Sequence, residues 1–293
     1  MRTLMLGATG DIGGAVADRL AAAGHEVLAL ARSEAAEAAL GARGLLTVSG
    51  DLRQPGAWAD LAGDVDALVH AAGVLGPEMA EIDRRLLDRL LAVAKARTRP
   101  LRLLYTGGCW LYGDTAGAVA TEASPYRPIP AFRYMTDAIG RLETAPGVDA
   151  LVLHPAMVYA TEAGVLARCY AAARAGRRAE VWGDGAARWP LVHRDDLAEA
   201  YLRVLERSPP GETYIAAAEA GVPAYEIAAR IQRRFGRDAA PKLRDVEDAV
   251  REHGPWAHGP ALDQRLSGAK LMERLGWRPT HADLLAEIGA EAA

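Results

Sequence analysis

The chain has 293 residues and a formal net charge of −4, with 51% hydrophobic and 25% charged residues, a composition typical of folded, water-soluble proteins rather than disordered ones. So small a charge leaves no broad basic surface for a polyanion, which argues against nucleic acid as a partner. Apolar runs break within about ten positions, short of the ~20 that a membrane span requires.

Met1-Arg2 runs directly into a short apolar strand and a glycine turn, leaving no room for a secretory signal, so the expected location is the cytoplasm and no membrane partner is expected. Cys109 and Cys169 are the two cysteines; they are too few for a disulfide framework and lack metal-ligand spacing, so free thiols and no metal site are expected. Short apolar runs then alternate with helix-length amphipathic stretches. Thr3–Leu6 reads as a strand, residues 12–23 as a helix and Glu26–Leu30 as a strand, and Ser33 opens a helix before Leu45–Ser49. Asp66–His70, a long helix over 81–95, Leu101–Tyr105, a helix opening after Pro130 and Ala150–His154 continue the series. This rhythm predicts βαβ units and therefore a Rossmann-type, doubly wound α/β fold with a parallel sheet.

After His154 the rhythm loosens and Trp, Pro and Gly become frequent, with helices expected over 195–206, 225–235 and 269–275. The expected organisation is a dinucleotide-binding domain over 1–160 and, over 161–293, a mixed region including a smaller, mostly helical substrate-binding cap.

The sequence Gly7-Ala-Thr9-Gly10-Asp11-Ile12-Gly13 follows the first strand and opens a helix. Glycines there permit a tight turn and close backbone approach, and the helix N-terminus offers N–H groups to a pyrophosphate, so this segment is the expected dinucleotide site. A carboxylate at the end of the second strand would hold the ribose of NAD, whereas an arginine suits the 2′-phosphate of NADP. The chain has Ala31-Arg32. The expected cofactor is NADP(H), with NAD(H) as the alternative and Arg32 as a plain surface charge as the competing reading.

From the glycine turn onward the chain resembles the extended or atypical branch of the short-chain dehydrogenase/reductase superfamily, of the NAD-dependent epimerase/dehydratase type. The resemblance covers nearly the whole length. It is carried by Gly7-x-x-Gly10-x-x-Gly13, Asp51-Leu52, His70-Ala-Ala-Gly73 and Tyr105-Thr-Gly-Gly-Cys-Trp-Leu-Tyr-Gly113, followed by His154-Pro-Ala-Met-Val-Tyr159, Arg188-Trp-Pro-Leu-Val-His193-Arg-Asp-Asp-Leu-Ala198 and Lys270-x4-Leu275-Gly-Trp-x-Pro279. It implies that Asp51 and Leu52 flank the adenine, that Ala71, Ala72 and Gly73 line the cofactor, and that Pro155 to Val158 approach the nicotinamide.

The same resemblance exposes two departures. Active members carry Ser or Thr four residues before the tyrosine of the Tyr-Gly pair, where this chain has Gly108 beside Gly107. They also carry Tyr-x-x-x-Lys, where this chain reads Tyr134-Met-Thr-Asp-Ala138. The lysine of the family binds the nicotinamide ribose and lowers the tyrosine pKa, and the hydroxyl residue steadies the substrate oxygen. Tyr134 is therefore a candidate catalytic group, and Thr106, at the end of the fifth strand, a second, with a turn hydroxyl bonding its own backbone as the equal alternative; Arg133 and Arg141 are the nearest candidate substitute cations, with surface positions as the equal alternative.

Gly108, Cys109, Trp110 and Tyr112 of one loop, with Arg188 and Trp189, are the candidate substrate-binding residues, aromatic rings supplying contact area and a polar handle. A buried thiol is the commoner state for Cys109. Asp195 or Asp196 is expected to cap a helix after His193. Ile82, Leu86, Leu90 and Val93, at helical spacing, either pair in a homodimer or face the sheet. The expected function is an NADP(H)-dependent oxidoreductase or epimerase of a small hydroxy- or carbonyl-bearing metabolite, reduction favoured. The alternatives are dinucleotide binding without turnover, as in a sensor or interaction protein, and non-redox lyase, isomerase or cyclising chemistry in the same cleft.

Overall fold

The computed structural model describes residues 1–73, 76–161 and 163–290. Along the chain run β1 (Arg2–Leu6), α1 (Asp11–Ala22), β2 (Glu26–Ala31), α2 (Glu34–Gly41), β3 (Leu46–Ser49), β4 (Ala67–His70), α3 (Met79–Lys95), β5 (Leu101–Thr106), α4 (Arg133–Thr144) and β6 (Val148–Pro155). There follow β7 (Met157–Ala160), β8 (Ala163–Gly164), α5 (Ala167–Arg174), β9 (Glu180–Trp182), β10 (Arg188–His193), α6 (Arg194–Arg207), β11 (Thr213–Ala216) and β12 (Glu219–Pro223). The chain ends with α7 (Ala224–Arg234), β13 (Lys242–Arg244), α8 (Val246–His253), α9 (Ala269–Leu275) and α10 (Leu284–Ala290). The expected α/β fold is the one observed: a parallel sheet flanked by helices and followed by a helical C-terminal region.

The chain forms two compact units. The first comprises Met1–Gly107, Arg133–His154 and Leu197–Tyr214; the second comprises Gly108–Phe132, Pro155–Asp196 and Ile215–Ala293. In the first unit the strand order is β11-β6-β5-β4-β1-β2-β3, and the neighbours from β6 to β3 pair in parallel. Leu4, Met5, Leu6, Leu68, Val69, Leu103 and Leu104 are wholly buried, which is why these strands read as continuous apolar runs. The strand order reverses between β1 and β4, and a crevice at the carboxyl ends of the strands at such a reversal is where ligands of this architecture bind.

On α3, Ile82, Leu86 and Leu90 are buried within the unit. Val93, the fourth residue of that stripe, is half-buried. The exposed residues of α3 carry charge instead: Arg84 pairs with Glu81 and Asp88 at 2.8 and 2.7 Å.

The second unit contains strands as well as helices. Its sheet runs β12-β10-β7-β8, with β7 and β10 parallel and both outer pairings antiparallel. Its aromatic core sets Trp182 against Ala249 and Ala257, with Trp256 packed on them. Asp196 does not cap a helix as expected. It lies in the first turn of α6 and is buried, accepting from the Thr280 N–H at 2.8 Å, the Thr280 hydroxyl at 3.0 Å and the His281 N–H at 2.8 Å. It clasps the C-terminal segment.

Candidate functional site

The glycine turn shows a separate physical demand at each position. Gly7 has φ +95°, and a Cβ there would lie 2.6 Å from the Ala71 carbonyl oxygen, so both conformation and close approach require glycine. A Cβ on Gly13 would collide with the Gly7 carbonyl, which fixes how tightly α1 packs on β1. Gly10 is different: a Cβ there meets only the Gly7 oxygen, at an ordinary 3.5 Å. Gly10 is the N-cap of α1 and has no side chain to cap it, so the N–H groups of the first turn remain available to an anion.

A cleft of about 320 Å³ opens at this turn, lined by Gly7, Thr9 and Gly10, by Arg32, by Asp51 and Leu52, and by Ala71, Ala72 and Gly73. Asp11, Ile12 and Gly13 form the first turn of α1 beside it. The expected cofactor residues of the first unit thus come together at the strand-order reversal. Arg32 is exposed, and among the described residues no acid pairs with it. Ser33 caps α2, its oxygen accepting from the Ala36 N–H at 3.2 Å. Arg43 was not expected here: its guanidinium donates to the Ala8 carbonyl at 3.2 Å and the Gly14 carbonyl at 2.8 Å while pairing with Asp18 at 2.7 Å. It braces the turn from a loop thirty residues away, and nothing local in the sequence signals it.

At the β5 edge of the same unit the hydroxyls are committed to protein partners. Thr106 shares a 2.6 Å hydrogen bond with Tyr201, a wholly buried residue of α6. Tyr105 and His70 are cross-strand neighbours, and both reach Asp83 of α3: His70 Nε2 lies 2.9 Å from Oδ1, and the Tyr105 hydroxyl donates to Oδ2 at 3.0 Å. Asp83 is 1% exposed. Sequence reasoning did not single it out, although an acid among the apolar positions of an amphipathic helix is a readable signal.

Tyr134 lies in the first turn of α4 and is half-buried. Burial, and then the charge of Asp83, push its hydroxyl well above the ordinary tyrosine range. Ala138, one turn on, is buried, and of the two candidate substitute cations Arg133 is exposed and Arg141 pairs with Asp88 at 2.6 Å. The two glycines preceding the loop differ. A Cβ on Gly107 would run into the imidazole of the buried His154, whereas a Cβ on Gly108 meets nothing within 4 Å.

The remaining expected residues belong to the second unit. Cys109, Tyr112 and Trp189 are buried; burial pushes the Cys109 thiol up to about 12, which removes it as a nucleophile. Trp189 donates to the Pro260 carbonyl at 2.8 Å, and Arg188 to that of Gly221 at 3.1 Å. Gln264 joins them: its side-chain amide donates to the carbonyls of Cys109 and Gly113 at 2.9 and 2.7 Å, and its N–H donates to that of Arg188 at 3.0 Å. Trp110 stacks with Trp256 and tilts against Phe132. Pro155 is buried and Val158 partly so. Among the described residues no helix is long and apolar enough to cross a membrane.

The sequence profile of the NAD dependent epimerase/dehydratase family matches residues 3–217. An uncharacterised protein of Schizosaccharomyces pombe is 31% identical, over 100% of this chain and 99% of its own. A Streptomyces protein named dTDP-4-dehydro-6-deoxy-D-allose reductase is 29% identical, over 82% and 83% of the two chains. Among solved structures, a dTDP-glucose 4,6-dehydratase double mutant from Streptomyces venezuelae with NAD bound superposes with a TM-score of 0.78 at 23% identity, over 98% of this chain and 95% of that one.

Proposed function

Because the chain belongs to the NAD-dependent epimerase/dehydratase family, we propose that it is an NADP(H)-dependent oxidoreductase or epimerase that favours reduction of a carbonyl on a small hydroxy- or carbonyl-bearing metabolite. The observation that carries this reading is the open cleft at the glycine turn with Arg32 on its lining, without an acidic partner among the described residues. The first-turn N–H groups of α1 would hold the pyrophosphate and the Arg32 guanidinium the 2′-phosphate, while Asp51 and Leu52 would flank the adenine and Ala71 to Gly73 the remainder. When bound, the reduced nicotinamide supplies a hydride. Tyr134 supplies the proton in neutral form, since a hydroxyl held above its usual range is an adequate donor and a poor base. The relative named as a sugar-nucleotide reductase supports a sugar-like ketone as the substrate class.

A second reading, dinucleotide binding without turnover or non-redox chemistry in the same place, is favoured by the commitment of Thr106 to Tyr201 and of Arg141 to Asp88. One experiment separates them: wild-type protein with NADPH and a panel of aldehydes, ketones and nucleotide sugars, followed at the reduced-nicotinamide absorbance band. Loss of absorbance with at least one carbonyl is expected. Tight NADPH binding without loss on any of them would support the second reading.

A further inference from the structure

We propose that Arg43 is a positioning residue for the dinucleotide: by holding the Ala8 carbonyl, it turns the Thr9 N–H toward the cleft as a donor to a phosphate oxygen of the cofactor. This inference rests on the reading of that cleft as the dinucleotide site.

One face of α1 makes the seat of Arg43. Gly14 and Asp18 stand four residues apart, so they lie one above the other on the helix. The guanidinium donates to the Gly14 carbonyl at 2.8 Å, and it reaches one Asp18 oxygen through Nη2 at 2.7 Å and through Nε at 3.1 Å. Its other arm, Nη1, donates to the Ala8 carbonyl at 3.2 Å. Glycine at position 14 leaves room for this seat. A Cβ there would already lie 3.4 Å from the Ala8 oxygen and 3.7 Å from the guanidinium, so a longer side chain would displace the arginine.

The seat controls the peptide between Ala8 and Thr9. Ala8 is wholly buried, so its carbonyl depends on a protein donor, and Arg43 is that donor among the described residues. The peptide is trans, and in a planar trans peptide the N–H points opposite to the C=O. With the carbonyl drawn to Arg43, the Thr9 N–H is directed away from the arginine. Thr9 is exposed and lines the cleft, whereas Arg43 is not part of that lining. The next N–H, that of Gly10, is spent on the Gly7 carbonyl at 2.9 Å, while the Thr9 N–H has no acceptor among the described residues. It therefore joins the first-turn N–H groups of α1 as a donor to an anion.

Charge is not the means. Asp18 lies 2.7 Å from the guanidinium and offsets it, so the pair adds little net field at the cleft. What Arg43 contributes is the direction of one peptide.

The test is a titration of ¹⁵N-threonine-labelled protein with NADP⁺, followed by amide NMR and by calorimetry, with the Thr9 signal assigned by its absence in Thr9→Ser. In wild type the Thr9 amide proton is expected to move downfield on saturation. In Arg43→Met that movement is expected to be lost, and the NADP⁺ affinity to fall about tenfold, the worth of one charge-assisted hydrogen bond. Affinity for adenosine, which carries no phosphate, is expected to be the same in both proteins, whereas a general loosening of the turn would lower it as well. Should Arg43→Met fail to fold, Arg43→Lys keeps the charge without the planar fork, and is expected to show the same loss of Thr9 movement with a several-fold fall in NADP⁺ affinity. Unchanged NADP⁺ affinity with full Thr9 movement in either folded variant, or an equal fall for adenosine, would overturn the proposal. Wild-type protein that binds no dinucleotide would overturn the reading of the cleft itself, and the proposal with it.

Discussion

Two stretches of one sheet edge, the glycine turn after β1 and the segment where β5 meets α4, have been left in opposite states. At the turn the groups suited to a ligand are uncommitted: the first-turn N–H groups of α1 lack a side-chain cap, and Arg32 lines an open cleft without an acidic partner among the described residues. At β5 the polar groups are used within the protein, Thr106 by Tyr201, Tyr105 and His70 by Asp83, and Arg141 by Asp88. Binding machinery is generic and is retained as backbone geometry. Proton-transfer machinery is a matter of side chains, and here a buried alanine, Ala138, stands four residues after the tyrosine where the family has a lysine.

The sharpest way to break the comparison is at the turn. Gly10→Val is expected to abolish dinucleotide binding, a loss of more than about a thousandfold, while the far-UV spectrum stays native, because its Cβ has ordinary room on the protein side and only the ligand's space is taken. Gly13→Val, at a position where even a Cβ strikes the Gly7 carbonyl, is expected to unfold the unit instead. Retained binding in a folded Gly10→Val protein would remove the site.

At the other stretch, Tyr134→Phe is expected to lower carbonyl-reduction turnover by about 10²–10⁴-fold, the usual worth of a positioned acid, with NADPH affinity unchanged by calorimetry. A smaller effect belongs to Arg32. Arg32→Ala is expected to cost about ten- to a hundredfold in NADPH affinity and little in NADH affinity, reflecting a charge-assisted contact of about 1.5–3 kcal/mol. Equal affinities for the two dinucleotides in wild type would sink the NADP assignment.

Gly107 and Gly108 offer a paired test. Gly107→Ala is expected to destabilise by about 1–3 kcal/mol, since the His154 ring must move, whereas Gly108→Ser, at an extended φ of −179° with open space for the side chain, is expected to leave the melting temperature within about a degree or two.

The smallest effect lies in the second unit. His193 stacks on His281, with ring centroids 3.8 Å apart, and burial, then His281, depress its pKa against the pull of Asp195, Asp196 and Glu287. A histidine with a folded pKa below its unfolded value of about 6.5 contributes stability above that pH and loses it as pH falls toward the folded value. The melting temperature is therefore expected to decline from neutral pH toward pH 5, less steeply in His281→Asn. An identical slope in the variant would remove the stacked pair as its cause.

What could be read from the sequence was what local backbone geometry demands. Gly7, Gly10 and Gly13, the strands around them and Arg32 at the end of β2 depend on neighbours within the same βαβ unit, and they appear where the pattern put them. The partners of Asp83 could not be read, because they come from two strands whose pairing the helix sequence does not contain, although its place among the apolar positions of the helix could. Gly107 reads as a lost side chain until His154, 47 positions on, is seen against it. The role of Asp196 is set by Thr280 and His281. In the second unit, strands of two to six residues are too short for an alternating pattern to stand out from loops.

The most direct test of the account is transfer of deuterium from the C4 position of labelled NADPH to a carbonyl substrate that turns over, followed by mass spectrometry in wild type and Tyr134→Phe. The account predicts one deuterium on the former carbonyl carbon of the wild-type product and a rate cut by at least a hundredfold in the variant. Conversion of the substrate with all label still on the nicotinamide, or label transfer at an unchanged rate in Tyr134→Phe, would contradict it.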